Sequence, residues 1–207
     1  MNENYPDIFT VEDAKYFLGQ YKAPLKALSL MVEKGELIRL KRGLYAKKEG
    51  FDPLKVAYLL RSPSYISYET ALNYYGLIPE KVEQITSVVD GRAGSFLAGS
   101  VIYSYSSQNR KLYSLGMSLE FIGDHPMPIA CREKAVLDTL AKAKLVTANL
   151  TDKDIFDYLS GSLRIDVDTL LVLSLSKLEA MAPLYRNMAP RKFVNELAKR
   201  KKGSNHE

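Results

Sequence analysis

Three cations stand close together at Arg39, Lys41 and Arg42, inside the phrase GELIRLKRGLYA that runs from Gly35 to Ala46. Cations gathered at a hairpin tip can neutralise nucleic-acid phosphates, because each neutralised phosphate releases condensed counterions. The plainer alternative is a solvated polar turn. A second group, Arg132, Glu133, Lys134 and Asp138, lies in ACREKAVLDTL. On a helix Lys134 and Asp138 are four apart, a spacing that supports a surface pair of about 0.3–0.5 kcal/mol. Surface pairing, or a helix start docked on a sheet, is therefore expected there rather than catalysis.

Other chemistry is sparse. The two histidines are His125, expected in a turn before Pro126, and His206 near the end. No histidine–cysteine–carboxylate spacing suits a metal. Cys131 has no histidine close in sequence and reads as a buried structural thiol. The glycines of GRAGSFLAG (Gly91, Gly94, Gly99) read as punctuation of a loop. They lack the Gly-Lys-Ser/Thr ending and the following helix of a phosphate loop. A nuclease would have to use scattered acids such as Glu120 and Asp124 beside a lysine. The expectation is no catalysis and no cofactor. Tyr65, Tyr68, Tyr74, Tyr75, Tyr103, Tyr105 and Tyr113 could stack bases, but Tyr103 and Tyr105 alternate with serines and read as the packed face of a strand.

The elements that must position these residues begin at Thr10. Thr10 and Asp13 have the spacing of a capping box, opening a helix that runs to about Gly19. Pro24 suits the first turn of a second helix, with Leu25, Leu28, Met31 and Val32 at the spacing of a buried face. Gly35 ends it, and Leu37–Leu40 pairs with Leu44–Lys47 across a turn that Gly43 makes possible. Helix, turn, helix and basic hairpin is the order of a winged helix-turn-helix. The first helix of a three-helix unit is not evident, and Pro53–Arg61 is the segment that could pack in its place. A Ser67-capped helix over Tyr68–Tyr75 closes this unit.

Beyond residue 80 the period changes. Strands are expected at Gln84–Val89, Ser100–Ser106, Lys111–Leu115 and Met117–Ile122, the last two as a hairpin about Gly116. Helices follow at Arg132–Lys144, 152–159, about 166–180 and about 190–200. The fold expectation is α+β: a winged helix-turn-helix over 1–80, then a mixed α/β domain over 81–207 that ends in helices and a basic, disordered tail from about residue 200.

Composition fits a globular chain: of 207 residues, 46% are apolar and 26% charged. No run approaches the ~18–20 apolar residues of a membrane span, and the acidic, polar start MNENYPDIF is not a signal peptide. With its single cysteine, the chain is expected to be soluble and cytoplasmic, with no membrane partner. The net charge of +5 is unevenly spread: residues 37–48 and 185–202 are basic, whereas 151–168 is rich in aspartate.

The phrase GELIRLKRGLYA and the later YISYETALNYYGLIPE together resemble the AbiEi antitoxin family of type IV toxin–antitoxin systems. The matching positions are Gly35, Leu37, Arg39, Arg42, Gly43 and Tyr45, then Ser67, Ala71, Leu72, Gly76 and Leu77; ACREKAVLDTL matches more loosely. The resemblance implies a head that binds double-stranded DNA at inverted repeats in its own promoter and represses the operon. It also implies a body that counters a nucleotidyltransferase-like toxin encoded alongside, without a stable complex being required. The residues placed at DNA are Tyr21, Lys22, Lys26, Arg39, Lys41, Arg42 and Tyr45; those placed in the antitoxin half are Arg132, Lys134 and Asp138. Palindromic operators match protein two-fold symmetry, so a homodimer on DNA is expected.

One departure matters. The recognition helix offers only Lys26 and Lys34 as cations, offset by Glu33, where relatives often carry several arginines. The wing and the helix start are therefore expected to carry most of the affinity. The competing reading is an interaction module that has lost DNA binding, with the acid-rich 152–168 region as its working surface.

Overall fold

The computed structural model describes residues 5–80, 82–123, 125–143, 145 and 147–204; Asp124, Lys144 and His206 lie outside the described residues. The chain opens with a short strand β1 (Ile8–Thr10), helix α1 (Val11–Phe17), helix α2 (Pro24–Glu33) and the hairpin β2 (Leu37–Lys41) and β3 (Leu44–Lys47). The capping box forms as expected: Thr10 N–H donates to Asp13 Oδ2 at 2.8 Å, and Asp13 N–H to Thr10 Oγ1 at 3.2 Å. Gly35 and Gly43 adopt φ of +71° and +82°, where an L side chain would be strained. This is a winged helix-turn-helix with a strand that the sequence hides. β1 pairs antiparallel with β3, Phe9 opposite Tyr45, but three residues are too few to show a period. Phe9, Ala14, Leu18, Leu28, Met31 and Leu37 form the head's own core. Leu25, expected in it, is half exposed on the outer face of α2.

The body is built on a second sheet. Helix α3 (Pro53–Leu60), strand β4 (Ser64–Ile66) and helix α4 (Tyr68–Tyr74) lead into β5 (Gln84–Val89), β6 (Gly94–Ala98) and β7 (Val101–Ser107). A one-turn helix α5 (Arg110–Tyr113) precedes β8 (Met117–Ile122) and β9 (His125–Ala130). The strand order is β6-β7-β5-β4-β9-β8, with β5/β7 and β4/β9 parallel and the other pairs antiparallel. α3 packs on β4, β5 and β9 rather than completing the head, and α4 joins α6 (Arg132–Lys142) over the sheet. Residues 53–78, expected with the head, thus belong by packing to the body. Tyr103 and Tyr105 are buried, and Tyr105 Oη donates to the Ala57 carbonyl at 2.6 Å. Their packing role is as expected.

Several expectations are corrected. GRAGSFLAG contains the edge strand β6, not only a loop. Lys111–Leu115 is not a strand, because Asn109 Oδ1 accepts the Lys111 N–H at 3.0 Å and caps α5. β8 therefore pairs with β9, in which His125 sits. Pro126 and Pro128 disguise that strand, since proline argues against an interior strand. The helix expected over 166–180 is broken into α8 (Val167–Leu171) and α9 (Leu175–Met181), the second capped by Ser174. With α7 (Asp152–Asp157) and α10 (Ala189–Ser204) these form the closing helical layer. The expected disordered tail is helical to Ser204.

The wing joins the two parts. Leu37 faces the head core, whereas Leu40, Leu44 and Ala46 enter the large body core with Val56, Ala57 and Leu60. A register shift between Arg39 and Lys41 bends β2, allowing one strand to serve both cores.

Candidate nucleic-acid interface

The outer face of α2 presents Leu25 (50% exposed), Lys26, Ser29, Leu30 (44% exposed) and Glu33. At its start Tyr21 and Lys22 are exposed, and a shallow cleft of about 300 Å³ runs between Tyr21, Lys22, Lys26, Leu30 and Lys34. This face is amphipathic and weakly charged. Bidentate arginine-to-guanine readout is absent from it; Lys26, Glu33 and, at the helix end, Lys34 are its charged groups beside two leucines that can meet thymine methyls.

The wing carries the charge. Arg39 and Arg42 are exposed, and among the described residues no carboxylate lies within salt-bridge distance of either. Lys41, expected beside them as a phosphate contact, is engaged elsewhere. Its Nζ donates to the carbonyls of Leu59 at 2.6 Å and Leu60 at 3.2 Å, capping the C-terminus of α3. A cation there meets the negative end of the helix dipole as well as two orphan carbonyls. Tyr45, also expected at DNA, stacks on Phe9 with ring centroids 6.0 Å apart and 16° between planes. It is a packing residue of the head.

The other basic stretch is used internally. Lys199 Nζ lies 3.0 Å from Asp152 Oδ2, and Arg200 bonds Glu196 Oε1 at 2.9 Å, approaches Asp157 at 3.9 Å and covers the Phe156 ring. Lys201 donates to the Leu173 carbonyl at 2.7 Å, and Lys192 to those of Thr147 and Leu150. The acidic 152–168 segment and the basic 185–202 segment are thus partners of one another. Much of this charge is spent within the fold, although Arg186 and Lys202 remain exposed with no carboxylate partner among the described residues.

In the body, Lys134 and Asp138 do come together, but buried: their ion pair spans 3.6 Å with both side chains inaccessible. Asp138 accepts from Ser67 Oγ at 2.7 Å, Gln108 Nε2 at 2.6 Å and the Tyr185 hydroxyl. Lys134 donates to the Leu112 carbonyl at 2.9 Å and Gln108 Oε1 at 3.2 Å, and Tyr65 Oη donates to the same Gln108 oxygen at 2.7 Å. Charged and polar groups inside a core must be met by partners, and here both charges are. Burial holds the Lys134 ammonium below its ordinary value against the opposing pull of Asp138. Burial, then the Asp138 charge, pushes the Tyr65 and Tyr185 hydroxyls far up. The surface pair expected from the sequence is instead the knot that ties β4, α5, α6 and the segment before α10. Gln108 and Tyr185 were invisible to sequence reasoning because they arrive from separate elements. Ser67, expected to cap α4 with its side chain, gives its hydroxyl to Asp138 instead and makes no cap hydrogen bond. Arg132 stands apart, exposed over the Tyr75 ring at 5.2 Å. Beside the knot, a cleft of about 730 Å³ is bordered by Tyr68, Asn109, Lys142 and Arg186.

Burial raises the Cys131 thiol above its ordinary value, which suits an inert side chain. Among the described residues no group of three or more histidine, cysteine or carboxylate side chains could hold a metal, and no helix is long and apolar enough to cross a membrane.

Fold and surface together define a winged helix-turn-helix head joined to an α+β body. Residues 2–46 match the family model described as "Transcriptional regulator, AbiEi antitoxin", so the chain carries an AbiEi regulator domain at its N-terminus. The whole chain is similar in fold to the Rv2827c protein from Mycobacterium tuberculosis. Against that crystal structure the TM-score is 0.63 at 16% identity, and the match covers 94% of this chain and 72% of that one. No curated protein matches the sequence.

Proposed function

We propose that this chain is a DNA-binding antitoxin and autorepressor of a type IV, AbiE-like operon. The head binds inverted repeats in its own promoter, and the body opposes a nucleotidyltransferase-like toxin in the cytoplasm. The observation that carries this reading is the contrast in charge. Among the described residues Arg39 and Arg42 are exposed on a clamped wing with no carboxylate partner, while Lys192, Lys199, Arg200 and Lys201 of the C-terminal stretch are engaged within the fold. In a winged helix the second helix enters the major groove and the hairpin follows the backbone or minor groove. Here Tyr21, Lys22 and Lys26 would meet phosphates at the helix start, and Arg39 and Arg42 those beneath the wing. Lys41 and Tyr45 serve by holding the wing in place. Of the residues linked to the antitoxin half, Lys134 and Asp138 maintain its core and Arg132 is the one left at the surface.

The test is a gel shift against the upstream region of the gene at several salt concentrations. Salt-sensitive binding at an inverted repeat supports the proposal; no binding at low salt, with protection from the toxin retained, contradicts it. A second reading, an interaction module without DNA binding, draws on the exposed Leu25 and Leu30 of α2. The same gel shift separates the two.

A further inference from the structure

β8 is the open edge of the six-stranded sheet, and among the described residues no strand lies beside its outward backbone groups. Its alternate residues Met117, Leu119 and Phe121 are 39%, 57% and 62% exposed. In β9 they lie opposite Ala130, Pro128 and Pro126, so this sheet face carries no charge along the whole strand. The other edge is different: β6 lies beside β2 of the wing, and a glycine stands at its start and another just past its end. Protected edges carry bulges, inward charges or prolines. β8 runs its full length with β9 in unbroken register, without bulge or proline; its one charge, Glu120, lies on the partly buried face and leaves the outer face of Met117, Leu119 and Phe121 uncharged. An unpaired edge strand with an exposed apolar face is an aggregation hazard unless something pairs with it.

The sequence of β8, MSLEFI, says what fits. We propose that β8 pairs antiparallel with β8 of a second copy of this chain, on a two-fold axis through Leu119. Leu119 then faces Leu119 of the partner subunit, and Met117 faces Phe121 of the partner subunit. Ser118 faces Glu120 of the partner subunit, so the two carboxylates are kept from standing opposite one another and each meets a hydroxyl. Every apolar position on the exposed face is matched to an apolar one, and the strand is its own complement, as an isologous interface requires. The inference stands on the edge strand and does not depend on DNA binding, although it would offer two heads to a two-fold operator.

The test is the mass of the full chain without DNA, by sedimentation at micromolar concentrations. A dimer is expected. Leu119→Lys sets two ammonium groups across the axis and should give a monomer with an unchanged circular dichroism spectrum. Met117→Lys combined with Phe121→Glu restores opposite charges in this register and should remain dimeric, whereas Met117→Lys with Phe121→Lys should not. In a Cys131→Ser background, Leu119→Cys should form a covalent dimer on mild oxidation. Ser118→Cys should not, because its partner's sulfur lies diagonally beyond disulfide reach. A wild-type chain that stays monomeric overturns the proposal, as does a dimer that Leu119→Cys fails to cross-link. If Leu119→Lys does not fold, the wild-type mass and the cysteine pair still decide. A monomeric wild type that nevertheless shifts its operator would refute this interface while leaving the DNA reading intact.

Discussion

The Nζ of Lys41 lies 2.6 Å from the carbonyl oxygen of Leu59, which fastens the tip of the wing to the C-terminus of α3. With Leu40, Leu44 and Ala46 buried in the body core, the hairpin is anchored on its body side while Arg39 and Arg42 remain exposed. Anchoring reduces the side-chain and loop ordering that binding must otherwise supply. The wing therefore presents its two arginines from an anchored backbone.

Lys41→Met should separate the clamp from a direct role at DNA. It removes two hydrogen bonds from a charged donor, worth about 1–3 kcal/mol in all when discounted for exposure. At about 2–4 °C per kcal/mol for a chain of this size, the melting temperature should fall by several degrees. The salt dependence of DNA binding should stay close to wild type. Thermal unfolding and a salt titration of the same variant check both halves; a flattened salt slope with unchanged melting would reverse the assignment.

The buried knot makes the opposite kind of prediction. Asp138→Ala leaves the Lys134 ammonium inside the core without its carboxylate, a loss of about 3–5 kcal/mol. Lys134→Met paired with Asp138→Leu should recover part of that, because no charge is stranded. It should not recover all of it, since Ser67 Oγ, Gln108 Nε2 and the Tyr185 hydroxyl lose their buried acceptor. Denaturant unfolding of the three proteins provides the comparison. If the single and double variants are equally unstable, the pair is not coupled.

The Thr10–Asp13 capping box gives a pH signature. The Thr10 side-chain hydrogen bond, then its backbone N–H, hold the Asp13 carboxyl below its ordinary value. A carboxyl with a lowered folded value binds its proton less readily in the folded state. Its contribution is therefore complete above the ordinary carboxylate range and lost as pH falls through the lowered value. Thr10→Ala should cost about 1 kcal/mol at neutral pH, and the deficit should shrink as pH drops below about 4. Melting curves across that range measure it; a deficit that stays constant in acid would rule out the Asp13 carboxylate as a contributor and leave only the Thr10 hydroxyl's bond to the Asp13 N–H.

Legibility followed the physics of short-range signals. Gly35 and Gly43, fixed by φ that only glycine adopts easily, made the wing readable, as Thr10 and Pro24 did the helix starts. β1 escaped because three residues carry no period, and β9 because Pro126 and Pro128 argue against a strand. Charge was the least transparent property. Lys41, Lys199 and Arg200 look alike in sequence to Arg39 and Arg42, but their partners, Leu59, Asp152 and Asp157, are long-range. For the same reason Lys134 and Asp138 read as a surface pair, although Ser67, Gln108 and Tyr185 enclose them.

Replacing Lys199 and Lys201 by glutamine removes two cations that the fold already uses. The expected result is a lower melting temperature and an operator affinity whose salt slope is unchanged. A slope reduced by about one per lysine would instead make them phosphate ligands.

The central claim is that Arg39 and Arg42 are the cations through which the wing holds phosphate, and the slope of log K against log salt measures it most directly. For the full chain on its own upstream region, Arg39→Glu with Arg42→Glu should abolish specific binding at moderate salt. The milder Arg39→Gln with Arg42→Gln should flatten the slope by about 0.9 for each arginine replaced. An affinity and slope equal to wild type in the glutamate variant, with its melting temperature preserved, would contradict the account.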